Sequence, residues 1–294
     1  MNSEDQGRIT DWIKLGVDIS GNVAGALLGG IFAGTSGTII GASITPLITE
    51  TFAKIGYDVK TMLIGKREEI RIGAAYTFAL SQIKDNLEKG KSPRTDSFFN
   101  QHQSRRSAAE EILEGILRLA QKEFEELKIK HYGYLIANIY FDEGIDQGYA
   151  NLLLNIADRI SYRQLCLLEL FNNTGKYELF RKMTENNDDF LKTINHFNIS
   201  SRPFDSISSS ALKTPLKKRK IDLNIEINEL IQLDFIDTES GVKQTFLGES
   251  FAHFGLTQFG KKIRDLMLLS KLDQSHVNNL ADILRYTETG SSFI

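Results

Sequence analysis

The residues of this chain that come nearest to a ligand-binding signature are Gly255-Leu-Thr-Gln-Phe-Gly260-Lys261. Their spacing is that of a phosphate-binding loop, in which glycine N–H groups cradle phosphates and the lysine neutralises them. The pattern fails at the next position, where Lys262 replaces the hydroxyl that would hold magnesium, and no strand–helix repeat follows. A Leu256-Thr257 pair opening a last helix accounts for the same residues better. His102, His131, His196, His253 and His276 are scattered, with no HExxH and no i, i+4 pair, so no metal site is expected. Cys166 is the single cysteine, which excludes an intramolecular disulfide and a multi-cysteine zinc site. Within Leu165-Cys-Leu-Leu168 it reads as a small buried hydrophobe rather than a nucleophile. Asp188 and Asp189 stand in a polar stretch without partner ligands, and there is no GxSxG elbow. The expectation is a non-enzyme with no cofactor and no metal.

Binding chemistry is better represented. Lys213, Lys217, Lys218, Arg219 and Lys220 form a basic cluster suited to nucleic acid or another acidic partner. A net charge of -3 and a pI near 6.0 exclude a chain that coats nucleic acid through bulk charge, so such contact would be local. The helix expected just after the cluster carries Asn224, Glu226, Asn228, Glu229 and Asp234. A reading helix should present Arg, Lys, Asn or Gln to base edges. The acids favour a protein contact or a structural role over nucleic acid.

Every fourth residue from Gly21 is small: Gly21, Gly25, Gly29, Ala33, Gly37, Gly41 and Thr45. Such a row lets two helix backbones approach closely, as in the GxxxG pairs of membranes. Glycine costs about 0.8–1 kcal/mol relative to alanine in a helix interior, so this density requires close packing or a turn to offset it. No charged residue occurs from Ile19 to Thr49. As one helix this stretch of roughly 31 residues would reach about 45 Å, beyond the ~20 residues a bilayer needs. Its many Ser and Thr residues lower the hydrophobicity, and Gly34-Thr-Ser-Gly37 could fold it into a hairpin. Three settings stay open: a buried helical hairpin, a membrane-inserting segment, or a homo-oligomeric seam.

The elements around these sites read as mainly α. Residues 1–60 hold the glycine zipper, as one helix or a helical hairpin. Residues 61–160 form a helical region, with helices over Lys66–Gly90 and from Ser107 to about Phe141 separated by an exposed linker near 90–106. Ser107-Ala-Ala-Glu110 is a capping box, and Leu113, Ile116, Ala120, Phe124 and Leu127 make a core stripe. A short helix over Tyr149–Ile160 follows. Residues 161–272 read as a winged-helix-like module: helices Tyr162–Phe171 and Leu223–Leu233, strands at Phe235-Ile236 and Val242–Leu247 around a Glu239-Ser-Gly241 turn, then helix Gln258–Ser270. Residues 273–294 are a helix and tail. The composition, 41% hydrophobic and 25% charged over 294 residues, suffices for one large core or a few small ones.

Lys128-Ile-Lys-His-Tyr-Gly-Tyr-Leu-Ile-Ala-Asn-Ile139, then Ile160-Ser-Tyr-Arg-Gln-Leu-Cys-Leu-Leu168 and the winged-helix pattern, resemble bacterial proteins of the abortive-infection alpha type. The likeness spans roughly residues 105–269, carries no catalytic motif and leaves the zipper outside it. It implies an antiphage effector or sensor answering a phage or host protein trigger. Joined to the zipper, it implies a homo-oligomer that perturbs the inner membrane; the alternative is a soluble winged-helix regulator or adaptor. With no secretory leader over residues 1–11 and one cysteine, a cytoplasmic chain with inner-membrane association is expected.

Overall fold

The structure is a computed structural model that describes residues 46–60, 65–101, 105–177, 215–238 and 254–288. The zipper residues Gly21, Gly25, Gly29, Ala33, Gly37, Gly41 and Thr45 lie outside them, as do Lys213, Asp188, Asp189 and the expected strand Val242–Leu247. The described chain is mainly helical with one small antiparallel sheet. It divides into two compact units, Met1–Tyr162 with Leu266–Leu268, and Arg163–Asp265 with Leu269–Ile294.

In the first unit, α1 (Pro46–Lys60) starts on a proline, whose fixed φ suits a first helical turn. Its Ile48, Phe52, Ile55 and Val59 recur at helical spacing and are buried. The last four residues of the uncharged stretch, Pro46–Thr49, therefore belong to a helix of the folded body. Helix α2 (Lys66–Glu88) is buried on nearly all sides from Ile72 to Leu80 and packs chiefly on α4 (Ile129–Ile139), which is equally engulfed apart from Lys130. Both are central helices.

Small residues set the α2–α4 approach. A Cβ on Gly133 would lie 2.6 Å from the Ala75 carbonyl oxygen, 2.7 Å from Phe78 Cβ and 2.8 Å from the Ala79 nitrogen, so only glycine fits. The Ala75-xxx-Ala79 row beneath it is a small-residue seam in a protein core, the packing device that the sequence advertises at residues 21–45.

Helix α3 (Ala108–Lys122) opens with the expected capping box: the Ser107 hydroxyl accepts from the Glu110 backbone N–H and the Glu110 carboxylate accepts from the Ser107 N–H. The helix expected to run on to Phe141 instead breaks at Glu123-Phe124-Glu125 and resumes after a 3₁₀ turn, Glu126–Lys128, as α4. Phe124 is 91% exposed and Leu127 52% exposed, so the core stripe ends at Ala120. The cause is Glu123. Its carboxylate takes Lys128 Nζ at 2.7 Å, the Tyr132 hydroxyl and the Glu125 N–H, while its carbonyl accepts from Arg71. An inward-turned acid with that many donors ends the helix and leaves Phe124 outside.

The segment 90–106 also departs from expectation. Lys89 to Ser92 are exposed, but Arg94, Phe98 and Phe99 are buried. Arg94 donates to the Ile145 carbonyl at 2.7 Å and lies 3.9 Å from the Phe98 ring centroid, while Asp96 holds its guanidinium. Phe98 and Phe99 join an aromatic cluster with Tyr140 and Phe52. A polar composition concealed two aromatic anchors. Helix α5 (Gln147–Arg159), capped by Asp146 onto the Tyr149 N–H at 2.7 Å, completes this unit against α3.

In the second unit, α6 (Tyr162–Asn172) is buried from Gln164 to Phe171, including Cys166. Helix α7 (Pro215–Gln232) buries Leu223, Ile227, Leu230 and Ile231. It leads through Asp234, at φ 59, into β1 (Ile236–Thr238), which pairs antiparallel with β2 (Phe254–Leu256) in the register Ile236↔Leu256. Helix α8 (Gln258–Leu266), a 3₁₀ turn Leu269–Lys271 and α9 (Gln274–Glu288) follow, and α9 packs on α7.

Candidate functional site

The sequence-predicted residues that fall on described backbone gather on the second unit. Lys217, Lys218, Arg219 and Lys220 occupy the first turns of α7, starting two residues after Pro215. Cations there oppose the helix macrodipole, which favours anions at that end by about 0.3–1 kcal/mol each. An anionic partner would reverse the sign of that effect.

Further along α7 the acids do not form one free face. Glu226 receives Nε and Nη2 of Arg163, at 2.7 and 2.8 Å, and Glu229 receives the Gln164 amide at 2.7 Å. These contacts tie α7 to α6 side by side. The two-pronged Arg163–Glu226 geometry is the stronger kind of surface pair, although half-exposed and so worth less than about 1 kcal/mol. Arg264 of α8 grips Glu169 of α6 in the same manner, at 2.8 Å.

The loop-like glycines also resolve. Gly255 lies in β2, and the Thr257 hydroxyl accepts from the Gly260 N–H at 2.9 Å as the cap of α8. The same hydroxyl donates to the Asp234 carbonyl, and the Thr257 N–H donates to the Phe235 carbonyl at 3.0 Å. A Cβ on Gly260 would collide with the Phe235 carbonyl. The spacing that mimics a phosphate loop is thus a helix cap followed by a close helix–strand crossing. Phe235 and Phe259 stack above it with centroids 5.3 Å apart.

No family model, curated protein or solved structure matches this chain. What it can do must be read from its own chemistry.

In the first unit the buried titratable groups are held by ion pairs and hydrogen bonds. Burial alone would raise the Glu123 carboxyl, but Lys128, Tyr132 and the Glu125 N–H outweigh it and hold it below the usual range. Glu110 behaves alike: burial opposes ionisation, while Lys54 at 2.6 Å, the Ser107 N–H and Gln101 stabilise the carboxylate. Tyr76 and Tyr140 donate to the Phe52 and Ala109 carbonyls at 2.8 Å, and burial pushes both hydroxyls far above their ordinary value. His131 is fully buried, its Nδ1 2.8 Å from the Met267 carbonyl oxygen, and burial pushes it down to about 3. Among the described residues no group of His, Cys, Asp and Glu could hold a metal ion, and no helix is long and apolar enough to cross a membrane.

Sequence reasoning missed the Glu123–Lys128–Tyr132 hub and the His131 contact. A lysine and a histidine within the apolar run 128–139 were the available signal, since neither is buried without a partner.

Proposed function

We propose that this chain is a non-catalytic binding protein of bacterial antiphage defence, of the abortive-infection kind. In it the second unit docks a macromolecular trigger as a winged-helix-like module, and residues 21–45 associate with other copies and act at the inner membrane. The observation that carries the docking half is the order α6, α7, β1, β2, α8, with the β1–β2 ladder directly after α7 and Gly260 pressed against Phe235. For the zipper half, support comes from the sequence: a row of small residues every fourth position from Gly21 to Thr45, within a stretch free of charge from Ile19 to Thr49.

The test is expression of the full chain and of its Gly29→Leu and Gly37→Leu variants, scored for viability and for carbonate-resistant membrane pelleting. Loss of toxicity and of pelleting, with the helical body melting unchanged, supports the proposal. Toxicity retained by folded variants overturns it.

A second reading, a soluble regulator that binds nucleic acid, gains from the pairing of Glu226 with Arg163 of α6, which offsets one negative charge of α7. In that case the combined Lys217→Glu, Lys218→Glu, Arg219→Glu variant should bind DNA with a salt slope shallower by about 3. An unchanged slope removes the basic cluster as the contact.

A further inference from the structure

Helix α8 ends at Leu266, and Met267-Leu268 turns the chain away with Leu268 at φ 49, in the left-handed region. A left-handed residue after a helix is commonplace, but glycine is the usual occupant because a Cβ is strained there. This turn, Leu266–Leu268, is counted with the first unit, while the chain on either side of it belongs to the second.

The carbonyls left unpaired by the end of α8 are met by side chains of α4. Asn138 Nδ2 donates to the Leu266 oxygen at 2.8 Å, and His131 Nδ1 lies 2.8 Å from the Met267 oxygen. Behind Asn138 runs a file of amides: Gln82 donates to Asn86 at 2.9 Å and Asn86 to Asn138 at 3.0 Å, so each polarises the next toward the turn. Met267 itself is fully buried. The socket therefore recognises main-chain carbonyls plus one flexible apolar side chain. It also carries two built-in costs, the left-handed Leu268 and the buried His131 Nε2, which has no hydrogen-bond partner.

We propose that Leu266–Leu268 is a releasable strap: it leaves its socket on α4 in an opening that keeps α2 and α4 folded. Two side-chain hydrogen bonds and the buried Leu266 and Met267 hold it, against strain and an unpaired polar atom, whereas α2 and α4 are locked by a glycine seam. The strap is the segment of this unit built to open first, and its release is independent of the function proposed above.

Thiol labelling of the full chain tests this, in a Cys166→Ala background carrying either Met267→Cys or Leu135→Cys, the latter a fully buried position of α4. The thiol at position 267 should label at least about tenfold faster than that at 135, with a weaker denaturant dependence, as for a sub-global opening. Adding Leu268→Gly, which relieves the left-handed strain, should slow labelling at 267 several-fold. Equal rates and equal denaturant slopes at 267 and 135, or faster labelling with Leu268→Gly, would overturn the proposal. Should Met267→Cys fail to fold, Leu268→Cys carries the same comparison with the same outcomes.

Discussion

His131 sets a pH dependence that can be worked from its surroundings. Burial is the main cause of its depression from 6.5 to about 3; the Met267 carbonyl pulls the other way, and Lys130 adds to the depression. The folded state then holds a neutral imidazole at pH 5, whereas the unfolded chain binds a proton below about pH 6.5. Protons therefore favour the unfolded state, and the stability present above pH 6.5 is lost as pH falls toward 3. With those two values the loss between pH 7 and pH 5 is about 2 kcal/mol, and it reaches about 4 kcal/mol by pH 3. Any folded value below about 4 gives nearly the same loss in the upper window, because the unfolded pKa governs it. Asp96, Glu110 and Glu123, all held low in the folded chain, contribute stability that is lost only below about pH 5, as their unfolded carboxyls protonate. The assay is urea unfolding at pH 7 and pH 5, wild type against His131→Asn, whose amide can replace the Nδ1 donor without titrating. The variant should lose about 2 kcal/mol less than wild type across that interval. Equal losses, or an imidazole at position 131 titrating near 6.5 by NMR in the folded protein, would refute the reasoning.

Two further perturbations address the same core. Gly133→Ala drives a methyl into the Ala75 and Ala79 backbone, which cannot retreat as a side-chain tip can. It should cost about 2–3 kcal/mol in chemical denaturation, whereas Gly255→Ala, with open space around it, should cost under about 1 kcal/mol. Lys128→Met removes the partner of a largely buried Glu123 and should cost about 3–5 kcal/mol at pH 7. Adding Glu123→Gln should recover much of that loss, and a double-mutant cycle showing no coupling would mean that Tyr132 and the Glu125 N–H alone sustain the carboxylate.

Local rules carried the helix starts and failed where an acid or an arginine found its partner far along the chain. Ser107 and Glu110 are three apart, so their mutual capping is visible in the sequence, but nothing local reveals that Lys54 also closes on Glu110. The helical period through Phe124 and Leu127 is intact in the sequence; tertiary donors Arg71, Lys128 and Tyr132 converge on Glu123 and override it. The same holds for Arg94, which reads as linker because its acceptors, the Ile145 and Ile139 carbonyls, lie 51 and 45 residues away.

The basic and acidic residues of α7 show what composition alone leaves out of the candidate site. Read along the helix, Glu226 and Glu229 look like a face that repels nucleic acid. Placed against α6, Glu226 meets Arg163, which offsets its charge, while Glu229 accepts from the neutral Gln164 amide and stays exposed. If the Arg163–Glu226 pair matters mainly for aligning the two helices, Arg163→Met with Glu226→Met should preserve stability to within about 1 kcal/mol. Any partner affinity carried by Lys217–Lys220 should persist in that double variant. Loss of both would mean that the pair itself belongs to the binding surface.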